Sequence, residues 1–353
     1  MKNVIPVLLL SSLLFDACTD GVYSSSVSSV DFFADDAEFD TVYVELEKLE
    51  LDEYPLYPMS CFFAGDNLIV EENFQKQRTD LFKIYNSQKL KFKYGCIGES
   101  DDEFKFPFLK DCSGFVDSVF YVDDFDKFVT INLGADGMVI GRDIFHFPNE
   151  LVPVNQTISF QDSVIAVWLT GESLLTFYDM KSKSKKGFNF YEKPKAVEAV
   201  DDYFLNMNLF RCEYGSCGDY IIEVFNNFKM INIISMKGQK LIKRLYFKGY
   251  DTNPIVVENG IPMFDSGFRL FFNFVLAQED CFYVKCWDRS WEEVQKYEMA
   301  APMIYKIDYN GVIDKLFVVD RYIRSFTIKD NVIYAICLDP DEQEWMIYKG
   351  NLQ

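Results

Sequence analysis

A single histidine, His146, stands in the run Phe145-His146-Phe147-Pro148. Its sequence neighbours are aromatic and no carboxylate stands beside it. Ser-His-Asp hydrolysis would therefore rest on one residue, with no nucleophile elbow in view. His146 reads as structural. Acids are far more plentiful, with 55 Asp and Glu against 35 Lys and Arg and a formal net charge of −20. Asp123, Asp124 and Asp126, the pair Asp201 and Asp202, and the separated Asp314 and Asp320 lie near expected strand ends. Carboxylates from several such ends could meet on a Ca²⁺ ion or act as acid and base. None has the spacing of a calcium loop, and so acidic a chain would carry clusters of this kind anyway. No catalytic or cofactor-binding residue is assigned, and Ca²⁺ is the one cofactor that these acids would suit.

Leaving Cys18 aside, eight cysteines remain: Cys61, Cys96, Cys112, Cys212, Cys217, Cys281, Cys286 and Cys337. Cys212 and Cys217 flank Gly215 and could close a small disulfide loop in an exported protein. Cys281 and Cys286, five apart, would fall on opposite faces of one strand. No spacing fits a zinc site. Most of these thiols read as buried packing residues.

One stretch has the residue types of a recognition surface. Cys286 to Tyr297 carries Trp287, Arg289 and Trp291, two of the chain's four tryptophans beside an arginine. Ser290 followed by Glu293 has the spacing of a helix-capping box. If the stretch is helical, Trp287 and Trp291 share a face. Aromatic and arginine side chains on a loop over a rigid scaffold are typical of binding surfaces. The alternative is that both tryptophans pin the loop to the core.

The elements that must carry these residues are strands. Asp117 to Ile140 contains short runs rich in aromatic and β-branched residues, separated by turn residues, which predicts an antiparallel meander. The opening of this unit, an Asp, one variable residue and an apolar run, recurs at Asp66, Asp117, Asp162, Asp219, Asp280 and Asp330. A second apolar run follows each, at Leu81–Tyr85, Phe128–Leu133, Leu174–Tyr178, Met230–Ile234, Met303–Ile307 and Trp345–Tyr348. A β-type period near 50 residues is the mark of propeller blades. The expected fold is all-β, a six-bladed propeller over residues 39–353. Thr41 to Leu46 is expected to close it as a strand in the last blade, since closure removes exposed edges. The departure at the fifth repeat, where the second run comes late, marks the tryptophan stretch as an insertion.

Between the first two repeats, Gly95-x-x-Gly98, Glu103-Phe104 and Pro107 resemble the Gly-rich, Glu-Phe-x-x-Pro segment between blades of bacterial six-bladed propellers. The chain from Thr41 onward is similar to the TolB-like six-bladed propeller lipoproteins of Bacteroides-type bacteria. The resemblance implies the fold and an exported, Cys-bearing leader. It supplies no catalytic residues.

The amino terminus fits such a leader. Lys2 precedes the apolar run Val4 to Phe15, which is too short for a stable membrane span. Ala17-Cys18 follows, a small residue before a cysteine, as at bacterial lipoprotein processing sites. Residues 1–17 are expected to be a signal peptide, Cys18 the lipidated residue, and 18–38 a Ser- and Asp-rich tether. The expected location is the bacterial cell envelope, with membrane contact through the lipid anchor only. The acidic charge disfavours nucleic acid as a partner. The function expected is a non-catalytic binding or scaffold module that recognises a protein, peptide or glycan. The alternative is a metal-assisted hydrolase or lyase of the propeller type acting on a lactone or carbohydrate.

Overall fold

Of the recurrent Asp residues, Asp66, Asp219 and Asp330 sit in tight turns. In Gly65-Asp66, Gly218-Asp219 and Asp330-Asn331 the chain reverses between the first and second strands of a sheet, with positive φ at Gly65, Gly218, Asp330 and Asn331. Glycine adopts that conformation without a Cβ penalty, and short Asx side chains tolerate it better than other residues do. Each second apolar run then falls in the third strand of a sheet, as Leu81–Tyr85 does within Thr79–Asn86 and Met230–Ile234 within Met230–Ser235.

The computed structural model describes residues 22–23, 29–33, 39–110, 118–149, 156–160, 164–168, 173–248, 253–265, 267–296, 301–339 and 341–353, with only the backbone for 22–23, 29–33, 156–160 and 164–168. Cys18, Cys112, Asp117 and Asp162 lie outside the described residues. The architecture is an all-β propeller of antiparallel sheets set around a channel. Five blades have all their side chains described. The first is Pro58–Ala64, Asn67–Glu72, Thr79–Asn86 and Lys89–Cys96. The second is Pro107–Lys110, Val119–Asp124, Lys127–Leu133 and Val139–His146, the meander expected from sequence. The third is Cys212–Cys217, Tyr220–Phe225, Met230–Ser235 and Lys240–Phe247. The fourth is Arg269–Ala277, Cys281–Ser290, Met303–Asp308 and Ile313–Val319. The fifth is Ile323–Lys329, Val332–Leu338 and Trp345–Asn351, with Glu47–Lys48 on its outer edge.

This corrects the expected count of six. The blades described in full number five; the third sequence repeat pairs as a further sheet between the second and third blades in chain order, with the backbone alone described for its first two strands, Gln156–Phe160 and Val164–Trp168. The expected closure is corrected too. Thr41–Val44 does not enter the last blade. It lies parallel to Ile313–Val319, on the outer edge of the fourth. The physical reason is direction: Thr41 pairs with Leu316 and Val44 with Val319, so the strand augments a blade already complete in four strands.

That strand belongs to a longer strap. Val22–Tyr23 lies parallel on Ser184–Asn189, and Ser29–Phe33 parallel on Lys240–Phe247. Thr41–Val44 and Glu47–Lys48 follow on the next two sheets in turn. The amino-terminal segment thus runs round the rim and covers the outer edges of four consecutive sheets, including part of the stretch read from sequence as a tether.

The core lies between adjacent blades. Phe62, Phe82, Phe104 and Phe120 pack in one cluster with Ile323 and Phe326 of the last blade. A second cluster joins Phe190 and Phe210 to Phe225, and a third joins Ile233 to Phe272 and Phe282. Aromatic rings span the gap between twisted sheets and meet edge to face, as Phe82 and Phe104 do at 5.5 Å. The segment after the first blade is held from within. The Phe104 side chain is fully buried, and Lys127 Nζ donates to the carbonyls of Ser100, Asp101 and Glu103 at 3.4, 3.2 and 2.7 Å. Gly98 leaves room there for the Glu103 carboxylate, which accepts from Ser100 N: a Cβ at 98 would lie 2.0 Å from it and displace it.

Candidate functional site

The first strand of each blade faces the channel, and these strands carry small residues among the large ones: Ser60, Gly215, Ser216 and Ser325. Gly215 lets neighbouring strands approach closely, since a Cβ there would meet the Val275 methyls at 3.1 Å. The result is a cavity of about 540 Å³ that all five described blades line, within the range of small-molecule and side-chain pockets.

Three carboxylates open onto it, Glu71, Asp123 and Glu213, together with Lys110 and Arg324. Glu71 is buried; its Oε2 accepts from Ser60 Oγ at 2.5 Å and Leu109 N at 3.1 Å. Burial pushes its carboxyl up to about 7, against those hydrogen bonds. The Glu213 side chain stands exposed on the cavity wall, and desolvation by the surrounding protein raises its carboxyl despite the fields of Lys110, Arg211 and Lys285. Among the described residues it has no hydrogen-bonding or ion-pair partner. The cations are engaged. Lys110 Nζ lies 3.4 Å from Asp123 Oδ2. Arg324 donates to the Pro58 carbonyl at 2.9 Å and stacks 3.5 Å from the centre of the Trp345 ring.

At one end the cavity opens beneath exposed apolar side chains. Phe74 meets Phe106 at 5.8 Å and Phe108 at 6.1 Å, and Phe106 meets Phe125 at 5.7 Å. Phe106 and Phe108 are each about half exposed, and Met59 stands beside them on the cavity wall. Each residue of this rim starts a blade's first strand or sits in the turn between its second and third strands. In a propeller those positions share one end of the channel.

The tryptophan insertion is such a turn, and it divides the three residues singled out from sequence. Trp287 belongs to the strand Cys281–Ser290 and is buried against Val294, Leu270 and Tyr322. The helix begins only at Trp291, so the two tryptophans do not share a helical face. Trp291 is 47% exposed and ends a ladder of rings through Phe268 and Phe264. Arg289 is exposed. The capping box forms: Ser290 accepts from Glu293 N, and Glu293 accepts from Ser290 N.

The other acids read from sequence have local duties. Asp124 accepts from the backbone N–H groups of Lys105 and Phe106, Asp126 pairs with Lys105, Asp201 caps the helix Asp202–Asn208, Asp202 pairs with Lys193, Asp314 with Lys306 and Asp320 with Arg321. His146 is exposed on an outer strand, 3.5 Å from Asp101. Among the described residues no three His, Cys, Asp or Glu are grouped to hold a metal ion. Seven cysteines are described and none of them is joined to another in a disulfide, Cys212 and Cys217 standing at opposite ends of one strand. Of the acids singled out from sequence, only Asp123 reaches the channel; Glu71, Glu213 and the phenylalanine rim were not foreseen. The signal available was an acid inside a strand otherwise built for burial, as in Cys212-Glu213-Tyr214-Gly215.

No protein-family model matches the chain. No curated protein matches it in sequence. Among solved structures it is similar to a protein described as exported from Bacteroides fragilis NCTC 9343, with a TM-score of 0.54 and 11% identity over 91% of this chain and 99% of that one. It is less similar to BamB from Moraxella catarrhalis (TM-score 0.35, 10% identity, 82% and 68% covered) and to the Cps50 (Swd1) β-propeller domain from Myceliophteria thermophila (0.40, 12%, 86% and 99%). At such identity the first likeness speaks to the propeller fold alone. The TolB-like six-bladed assignment is corrected accordingly: no family model supports it, and the blades described in full number five.

Proposed function

We propose that the protein is a non-catalytic binding module, held in the bacterial cell envelope by a lipid on Cys18, and that its recognition face is the end of the propeller where the channel opens. The observation that supports this reading is the concentration of exposed aromatic side chains, Phe106, Phe108 and Trp291, on turns over a rigid scaffold. Trp291 and Arg289 belong to this face, whereas Trp287 supports the loop from below. A protein, peptide or glycan would lie across the rim, its apolar parts on the rings.

Peptide and glycan arrays probed with the full chain test the reading. Binding that is lost in Phe106→Ser/Phe108→Ser or in Trp291→Ala, with the melting temperature unchanged, is the expected result. Binding indifferent to all three positions, or turnover of a lactone or glycoside by the wild type, would refute it. Mass spectrometry of the mature amino terminus checks the anchor: a diacylated Cys18 is expected, and an unmodified terminus elsewhere rules it out.

A further inference from the structure

The rim covers an acidic hole. Three carboxylates line the cavity against two cations, and both cations are already engaged, Lys110 by Asp123 and Arg324 by Trp345 and the Pro58 carbonyl. The Glu213 carboxylate is unpaired among the described residues, and Glu71 accepts from Ser60 Oγ and Leu109 N on one oxygen, leaving Oε1 without a partner among the described residues. Ser325, 3% exposed on the same wall, has a hydroxyl with no partner among the described residues. Glu71, buried in the wall with no cation bonded to it, is costly to keep charged, and a cation brought to it and to the exposed Glu213 beside apolar walls is held strongly. An anionic ligand would meet the uncompensated carboxylates, and a purely apolar one would leave them desolvated.

We propose that this cavity takes the cationic side chain of a partner peptide, a lysine or arginine, with its charged head at Glu213 and Glu71 and the flanking apolar residues of the peptide on Phe74, Phe106 and Phe108. The proposal rests on the binding-module reading and names its ligand class. A peptide rather than a free amine is the occupant because the apolar surface continues past the cavity wall, at Phe106 (49% exposed) and Phe125, where a small amine has nothing to place. Raised carboxyls in the cavity favour the same occupant, since an arriving cation restores their charged form.

The probe is the peptide acetyl-Gly-Phe-Lys-Phe-Gly-amide, titrated into the full chain by calorimetry beside its norleucine counterpart and n-butylammonium. Binding of the lysine peptide at least about tenfold tighter than both others, with a loss of about tenfold or more in Glu213→Gln, is expected. Glu71→Gln serves as the second variant should Glu213→Gln fail to fold, as judged by thermal melting. Equal binding of lysine and norleucine peptides, both lost in Phe108→Ala, would overturn the cationic assignment and leave the binding module standing. Equal binding of n-butylammonium and the lysine peptide would overturn the peptide assignment. Failure of all three probes overturns the inference, and the arrays then decide the broader reading separately.

Discussion

Lys285 Nζ donates to the carbonyl of Arg324 at 2.7 Å, and to that of Ile323 at 3.0 Å, across the boundary between the fourth and fifth blades. The lysine is buried, stands over the rings of Phe274 and Trp287, and fixes the start of the strand that brings Arg324 and Ser325 to the channel. Lys285→Ala leaves two buried carbonyls unpaired and a cavity beside Trp287. A loss of about 3 kcal/mol or more in urea unfolding is expected. A loss below about 1 kcal/mol would show that the amine is dispensable to the joint.

The same amine has a pH signature. Burial pulls Lys285 down to about 7, while burial pushes Glu71 and Glu223 up to about 7. For the two glutamates the folded state binds a proton more tightly than the unfolded one. They favour folding below their ordinary value of 4.5, and this advantage is lost as pH rises to about 7. For Lys285 the folded state binds a proton less tightly, so its penalty is full below about 7 and fades as pH climbs towards 10.5. The three groups together place a minimum of stability near neutrality. Glu223 accepts from Tyr214 Oη and Asn232 Nδ2 and lies away from the cavity, so it tests the acid limb cleanly. Glu223→Gln is expected to gain on the wild type by up to about 3 kcal/mol between pH 5 and pH 8. A stability difference constant over that range would contradict this assignment.

The two tryptophans of the insertion separate structure from recognition. Trp287→Ala removes a buried ring from the contact with Tyr322 and Val294, and about 3–5 kcal/mol is the expected loss. Trp291→Ala removes a ring that is half exposed and stacked on Phe268, and should cost less than about 1 kcal/mol. Thermal or urea denaturation of the pair is the check. Equal losses would mean that Trp291 is part of the packing and not free for a partner.

A third site of leverage is Lys127. Its amine holds three carbonyls of the segment after the first blade and lies 3.7 Å from the buried Asp124. Lys127→Met keeps the stem and removes the donor, along with the cation beside the buried Asp124. The expected cost is about 3 kcal/mol, with new protease cleavage between residues 98 and 104. Cleavage kinetics like those of the wild type would count against the lysine as the clasp of this loop.

What could be read in the sequence followed from local rules. The turns at Asp66, Asp219 and Asp330, the third strands and the capping box at Ser290 and Glu293 depend on neighbours a few residues away, and each stands where the pattern put it. Thr41–Val44 was correctly a strand, but its partner Ile313–Val319 is distant and parallel, and alternation says nothing about which edge a strand will find. The channel acids were hidden for a related reason. Glu213 alternates with apolar neighbours as a solvent-facing residue would, and only closure of the blades turns that face inward. Trp287 and Trp291 looked alike because their spacing presupposed a helix that begins four residues later.

The strap round the rim bears on the order in which the molecule assembles. Val22–Tyr23, Ser29–Phe33, Thr41–Val44 and Glu47–Lys48 find their partners at Phe188, Lys243, Leu316 and Lys349, all in the second half of the chain. The strap strand Val22–Tyr23 therefore has no partner until more than half of the chain has been made, and Glu47–Lys48 none until nearly all of it has. Contacts so distant in sequence carry the largest loop-closure cost and form late. During synthesis the outer edges of the completed blades stand open, and the strap is the piece that seals them at the end.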